Sequence, residues 1–173
     1  MNRRLIAIAL APVLFASSAL AQTVVIVRHG EKVAPNGDPD LSAAGQARAQ
    51  ALAEALSGAR VAMVLATPLK RTQQTAQPAA QAAGVAVIPV SFDGGDAVHA
   101  QRLADQARTA PGDATVLIVG HSNTVANIAT ALGDTAAQAP TDCEYDQMTV
   151  IQLAGTAPPK VVHVRYGVAT AAC

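Results

Sequence analysis

The sequence predicts an α/β fold: a three-layer α/β/α sandwich with a mostly parallel central sheet and a C-terminal antiparallel hairpin. Three observations carry that expectation. Apolar runs without alternation, such as VVIV at 24–27 and VLIV at 116–119, mark strands covered on both faces. Ala-rich helical segments lie between the early runs, and their alternation implies parallel strands joined by crossover helices. Beyond residue 146 two strand-like runs are joined by AGTAPP at 154–159, which reads as an antiparallel hairpin. A chain of 173 residues fits one domain with a sizeable core.

In chain order, residues 1–21 read as a signal peptide. Arg3 and Arg4 form a basic start, Leu5 through Phe15 an apolar stretch, and Ala19-Leu20-Ala21 a small-x-small site, with cleavage expected before Gln22. No cysteine stands directly after that point to take a lipid. The mature domain, residues 22–173, is therefore expected in the periplasm or secreted medium, without stable membrane insertion after cleavage. The first strand is expected at Thr23–Arg28. Ser42 is placed to cap a helix over Ala43–Leu56, where Leu52 and Leu56 share a face. A second strand spans Val61–Ala66, and Thr67-Pro68 supplies a capping hydroxyl and a first-turn proline for the next helix. A third strand is expected at Val85–Val90, a helix from Ala97 to Arg108, a fourth strand at Thr115–Gly120, and a helix from Ser122 to Leu132. The hairpin strands are Gln147–Leu153 and Lys160–Tyr166.

Without Arg3 and Arg4, ten basic residues face twelve acidic ones, a net charge of −2. That balance excludes nucleic acid and anionic membrane surfaces as partners. Two Phe and two Tyr leave few aromatic platforms. Cys143 and Cys173 flank the hairpin; in its expected register, residues whose numbers sum to about 313 face each other, so the cysteines lie nearly opposite. In an oxidising compartment this predicts a disulfide. Monomer is the default oligomeric state.

Ligands of open α/β sheets bind at the carboxyl ends of the strands. The first strand ends in Arg28-His29-Gly30-Glu31, the second leads to Arg71 in the following helix's first turn, and the fourth ends in His121-Ser122-Asn123. Two arginine forks beside helix N-termini suit a tetrahedral dianion such as phosphate. A neutral imidazole in that cluster can attack phosphorus and form a covalent phosphohistidine. Gly30 is expected to give the backbone a sharp turn and close approach to the ligand. Glu31 reads as a solvated loop charge, with Lys32 or the pocket mouth as its other settings. Asn123 is balanced between phosphate and its own turn. His99 and His163 read as structural, and Asp142, Glu144 and Asp146 as a solvated turn that borders the site only if the hairpin packs nearby.

VVIVRHGEK, LSAAGQARAQALAEAL, LATPLKRTQQTA and VLIVGHSNTV occur in order from residue 24 to residue 125. Together they resemble the histidine phosphatase superfamily, the phosphoglycerate mutase-like fold, over roughly residues 23–132. The resemblance implies His29 as nucleophile, Arg28, Arg71 and His121 as holders of the phosphoryl oxygens, and catalysis without metal or other cofactor. Ser122 stands where one branch of the superfamily has an acid, so the likeness is to the other branch. There the proton donor, when present, follows the third strand, which points to Asp93, ahead of Asp96; both also fit as plain loop residues. Small members lacking the acid act on good leaving groups such as phosphohistidine. The implied function is a phosphatase of small phosphomonoesters. The alternatives are a phosphohistidine protein phosphatase or a non-catalytic binder of phosphorylated envelope components; export and short length weigh against a mutase.

Overall fold

The computed structural model describes residues 21–170 and residue 173. The expected signal peptide lies, apart from Ala21, outside the described residues. Six strands and four helices follow in the order β1 (Gln22–Arg28), α1 (Ala43–Ala55), β2 (Val61–Ala66), α2 (Lys70–Ala83), β3 (Val87–Pro89), α3 (Asp96–Arg108), β4 (Thr115–Gly120), α4 (Val125–Ala131), β5 (Gln147–Leu153) and β6 (Lys160–Arg165). They form one sheet with strand order β3-β2-β4-β1-β5-β6. The β1–β4, β2–β4 and β2–β3 pairs are parallel, whereas β5 and β6 join antiparallel beyond β1. This is the expected α/β sandwich with its C-terminal hairpin.

Successive residues of β1 and β4 serve opposite layers, which is why their runs do not alternate. Val24, Ile26, Val116 and Ile118 pack with Leu103 of α3 and Ile128 of α4. Val25, Val27, Leu117 and Val119 pack with Leu52 of α1 and Ala76 and Ala80 of α2. Ser42 caps α1, its Oγ accepting from the Gly45 N–H at 3.2 Å.

Three elements differ from expectation by two residues or more at an end, each for an identifiable reason. Helix α2 begins at Lys70, because the Thr67 hydroxyl is engaged by His121 and Thr72 and does not cap it. The Asp38 carboxylate caps it from a distant loop, accepting from the Lys70 N–H at 2.9 Å. Strand β3 is shortened at both ends: Val85 N–H closes α2 on Ala80, behind the left-handed Gly84 (φ 69°), and Pro89 has no N–H to donate. Helix α4 starts three residues late, because the Thr124 hydroxyl accepts from the His121 N–H and organises 121–124 as a turn. The hairpin pairs Gln147 with Arg165 through Gln152 with Lys160, one residue from the expected register. Cys143 and Cys173 are disulfide-bonded, with Cα atoms 5.6 Å apart. No helix among the described residues is long and apolar enough to cross a membrane.

Candidate active site

The adjacent parallel strands β1, β4 and β2 deliver their carboxyl ends to one place. There Arg28, His29, Lys32, Leu69, Arg71, Phe92, His121, Ser122, Asn123 and Asp142 line a cleft of about 310 Å³. His29, His121 and Arg28 are buried to 4%, 5% and 6% exposure, so the cleft has a cationic and imidazole floor, not a solvated rim. The structure thus brings together all four residues singled out for phosphate chemistry.

His29 Nδ1 lies 2.7 Å from the Gly30 carbonyl oxygen. A carbonyl only accepts, so Nδ1 carries the proton and Nε2 keeps the ring's lone pair. Burial, with Arg28 and Arg71 nearby, pushes the His29 pKa down to about 4. Its backbone is fixed by donation to Gly120 at 3.0 Å, and the next N–H, of Gly30, donates to the Thr75 hydroxyl at 2.9 Å. The His121 ring stands edge-on, 5.3 Å from that of His29. Burial and then the proximity of His29 lower its pKa to about 3. Arg71 Nε donates to its Nδ1 at 3.4 Å, and its Nε2 donates to Thr67 Oγ1 at 3.0 Å.

The two arginines are held differently. Arg28 Nη1 donates to the carbonyl oxygens of Thr141, Asp142 and Glu144 at 2.8, 3.1 and 3.0 Å, and its guanidinium lies 4.0 Å over the Tyr145 ring. Its Nε is buried without a partner. Burial lowers its pKa against the opposing pull of Tyr145 and Asp142, yet a guanidinium stays charged. Arg71 is held loosely, by contacts of 3.5 Å to the Gly37 carbonyl and the Asp38 carboxylate.

Several expectations need correction. Gly30 does serve a close approach, but toward helix α1: a Cβ there would stand 2.9 Å from the Gly45 carbonyl oxygen. Glu31 is no solvated charge. It receives Arg48 on both oxygens, at 2.7 Å in the shortest contact, and Arg48 is only 4% exposed. Burial opposes ionisation of Glu31, but Arg48 outweighs it and lowers the Glu31 pKa. Of the acids after residue 141, only Asp142 keeps the exposed turn setting, while bordering the site as the hairpin packs nearby. Asp146 is 1% exposed and bonds Arg165 and Thr170, Glu144 bonds Thr141 and Arg165, and Asp142 lines the cleft. Asn123 lines the cleft while donating to Asp96 at 2.8 Å.

Asp93 does not line the cleft. It is exposed, and only its main chain is engaged, by Ser91 Oγ and Arg102. His99 and His163 fit their structural reading. His99 donates from Nδ1 to the Ser91 carbonyl oxygen at 2.9 Å and stacks 4.2 Å from Phe92, which in turn sits 5.3 Å from His121. His163 bridges Thr149 and Asp134. Sequence reasoning missed Phe92, Tyr145 and Arg48.

A parallel-centred α/β sandwich with two imidazoles and two guanidiniums at its strand ends defines a class of phosphate-handling sites. Residues 24–93 match the family model described as the histidine phosphatase superfamily (branch 1). The uncharacterized protein Rv0525 of Mycobacterium tuberculosis is 36% identical over 97 residues, which cover 52% of this chain and 46% of that protein. The match thus spans about half the length of that relative. Among solved structures, mycobacterial glucosyl-3-phosphoglycerate phosphatase Rv2419c superposes with a TM-score of 0.63 at 15% identity, covering 85% of this chain and 100% of that one. Phosphoserine phosphatase of Entamoeba histolytica superposes with a TM-score of 0.58 at 18% identity, covering 85% and 97%. At these identities the likeness is one of fold.

Proposed function

We propose that the chain is a metal-independent phosphatase that hydrolyses phosphomonoesters through a covalent phosphohistidine on His29. The carrying observation is the His29–Gly30 hydrogen bond of 2.7 Å, which leaves Nε2 unprotonated on a residue lining an arginine-flanked cleft. Nε2 attacks phosphorus, the P–O bond to the leaving group breaks, and water then cleaves the P–N bond to regenerate His29. Arg28 and Arg71 stabilise the negative charge spread over the phosphoryl oxygens, and His121 joins them in the tautomer whose Nε2 accepts from Thr67 and whose Nδ1 carries the proton. The unpartnered Nε of Arg28 is a donor ready for one of them.

The site acts in an exported domain, residues 22–173. The Cys143–Cys173 bond supports that location. The amino-terminal sequence of the protein recovered outside the cytoplasm tests the cleavage point; a chain retaining residues 1–21 would refute it. A phosphohistidine protein phosphatase is the second reading, favoured by the position of Asp93 off the cleft, since a good leaving group needs no acid.

The test is hydrolysis of p-nitrophenyl phosphate with and without chelator, beside His29→Ala. Chelator-resistant activity that vanishes in the variant, with acid-labile phosphate trapped on His29 in the wild type, is the expected result. Equal activity in both proteins would refute the assignment, and binding without a covalent adduct would favour a non-catalytic binder.

A further inference from the structure

We propose that Asp142 is the proton donor to the leaving group, and that the enzyme thereby acts on alkyl phosphomonoesters, whose alcohols leave poorly without protonation. This rests on the phosphohistidine reading above. Among the residues lining the cleft, Asp142 alone carries a carboxyl group. The nearby acids are committed elsewhere: Glu31 to Arg48, Asp38 to Arg71 and the α2 N-terminus, Asp96 to Asn123, and Glu144 to Thr141 and Arg165. The Asp142 carboxylate makes no hydrogen bond or ion pair among the described residues.

Its placement suits the task. The nucleophile and the phosphate-holding groups are buried at the floor of the cleft, whereas Asp142 is exposed. The leaving group of a phosphomonoester seated on that floor must point outward, past the rim. A donor has to stand there, in reach of the ester oxygen. The backbone of Asp142 is also fixed at two points. Its carbonyl oxygen accepts from Arg28 Nη1 at 3.1 Å, and the next residue is tied to the carboxyl terminus by the disulfide. One residue thus orients an oxyanion holder through its main chain and presents an acid through its side chain.

The step balances as follows. His29 Nε2 bonds to phosphorus, the P–O electron pair passes to the ester oxygen, and that oxygen takes the proton of the Asp142 carboxyl to leave as an alcohol. The Asp142 carboxylate then accepts a proton from the water that attacks phosphohistidine, which restores both groups.

Asp142→Asn tests the role, because it keeps the carbonyl that holds Arg28 and removes only the acid. Rates on p-nitrophenyl phosphate and on glycerol phosphate are compared for wild type, Asp142→Asn, Asp93→Asn and His29→Ala. For Asp142→Asn the expected result is a fall of about 10²-fold or more in kcat on glycerol phosphate, with a change within about threefold on p-nitrophenyl phosphate. An equal loss on both esters would mean that the residue acts on Arg28 or on binding, and overturns the proposal. So would no loss on either, or the leaving-group split appearing in Asp93→Asn instead. If wild-type activity is absent, or survives His29→Ala, the phosphohistidine reading fails and takes this one with it.

Discussion

Arg28 donates to the carbonyl oxygen of Thr141 at 2.8 Å, across 113 positions of the chain. The end of the first strand is thereby bound to a loop formed after the last helix. The same Nη1 serves Asp142 and Glu144, so the guanidinium is aimed by main-chain oxygens. The two arginines of the cleft should therefore respond differently to removal.

Arg71→Ala should lower kcat by about 10²–10³, as for loss of one preorganised donor, while leaving thermal stability nearly unchanged. Its side-chain contacts are long, at 3.4 and 3.5 Å. Arg28→Ala should lose comparable activity and also about 2 kcal/mol of stability, since three carbonyls lose a charged donor. Paired kinetic and urea-unfolding measurements check this; equal stability losses would contradict it.

Reduction of the disulfide should weaken substrate binding more than it slows chemistry. Cys143 lies inside the 141–144 segment that aims Arg28. The expected outcome for the Cys143→Ser, Cys173→Ser double variant is a several-fold rise in KM with a smaller change in kcat. A loop of 30 residues also predicts a stability loss of about 3–4 kcal/mol in the chain-entropy account. Unchanged KM in the folded variant would separate the bridge from the site.

Gly45→Ala should disturb the cleft from the far side of the His29 loop. A Cβ there would run into the Glu31 carbonyl oxygen, in backbone that has no flexible end to move. The expected cost is about 1–3 kcal/mol, with a fall in kcat as residues 29–31 shift. Wild-type kcat in this variant would show that the loop absorbs the methyl group without moving His29.

Acid should weaken both stability and turnover. The two site histidines ordinarily titrate near 6.5 but are held down to about 4 and about 3, chiefly by burial. Their contribution to stability is full above 6.5. Below that the unfolded chain binds protons that the native rings do not, so stability falls with pH until the native values are passed. The Tm of a His29→Asn, His121→Asn double variant should vary less between pH 7 and 4.5 than that of the wild type. The acid limb of kcat/KM should fall through about 4 as Nε2 of His29 is protonated; a limb centred near 6.5 would contradict the burial argument.

The sequence displayed the sandwich and the centre of the site because both are written in contiguous residues. VVIV and VLIV each carry a two-faced strand, and RHG and GHS hang directly on their ends. The pairing of the hairpin was legible to within one residue because one short connection governs it. Other features depend on contacts that no local pattern encodes. Asp38 caps α2 from 32 positions away, leaving Thr67, which locally looks like the cap, free to hold His121. Glu31 meets Arg48 17 positions on, so a charge that scans as solvated is half of a buried pair. Asp142 scans as one acid in a turn, and only the return of the hairpin beside β1 brings it to the cleft.

The position of β1 also bears on how the chain reaches this state. Among the described residues it precedes every other strand, yet its neighbours in the sheet are β4 and β5, residues 115–120 and 147–153. Its hydrogen-bonding edges are filled only by strands about 90 and 125 residues further along, and such long-range pairing forms slowly. A nascent chain of this design has no reason to lock prematurely around its amino terminus. The strand ends that carry Arg28, His29 and His121 therefore meet only after β4 has formed, and a truncated product lacking β5 would leave one edge of β1 unpaired.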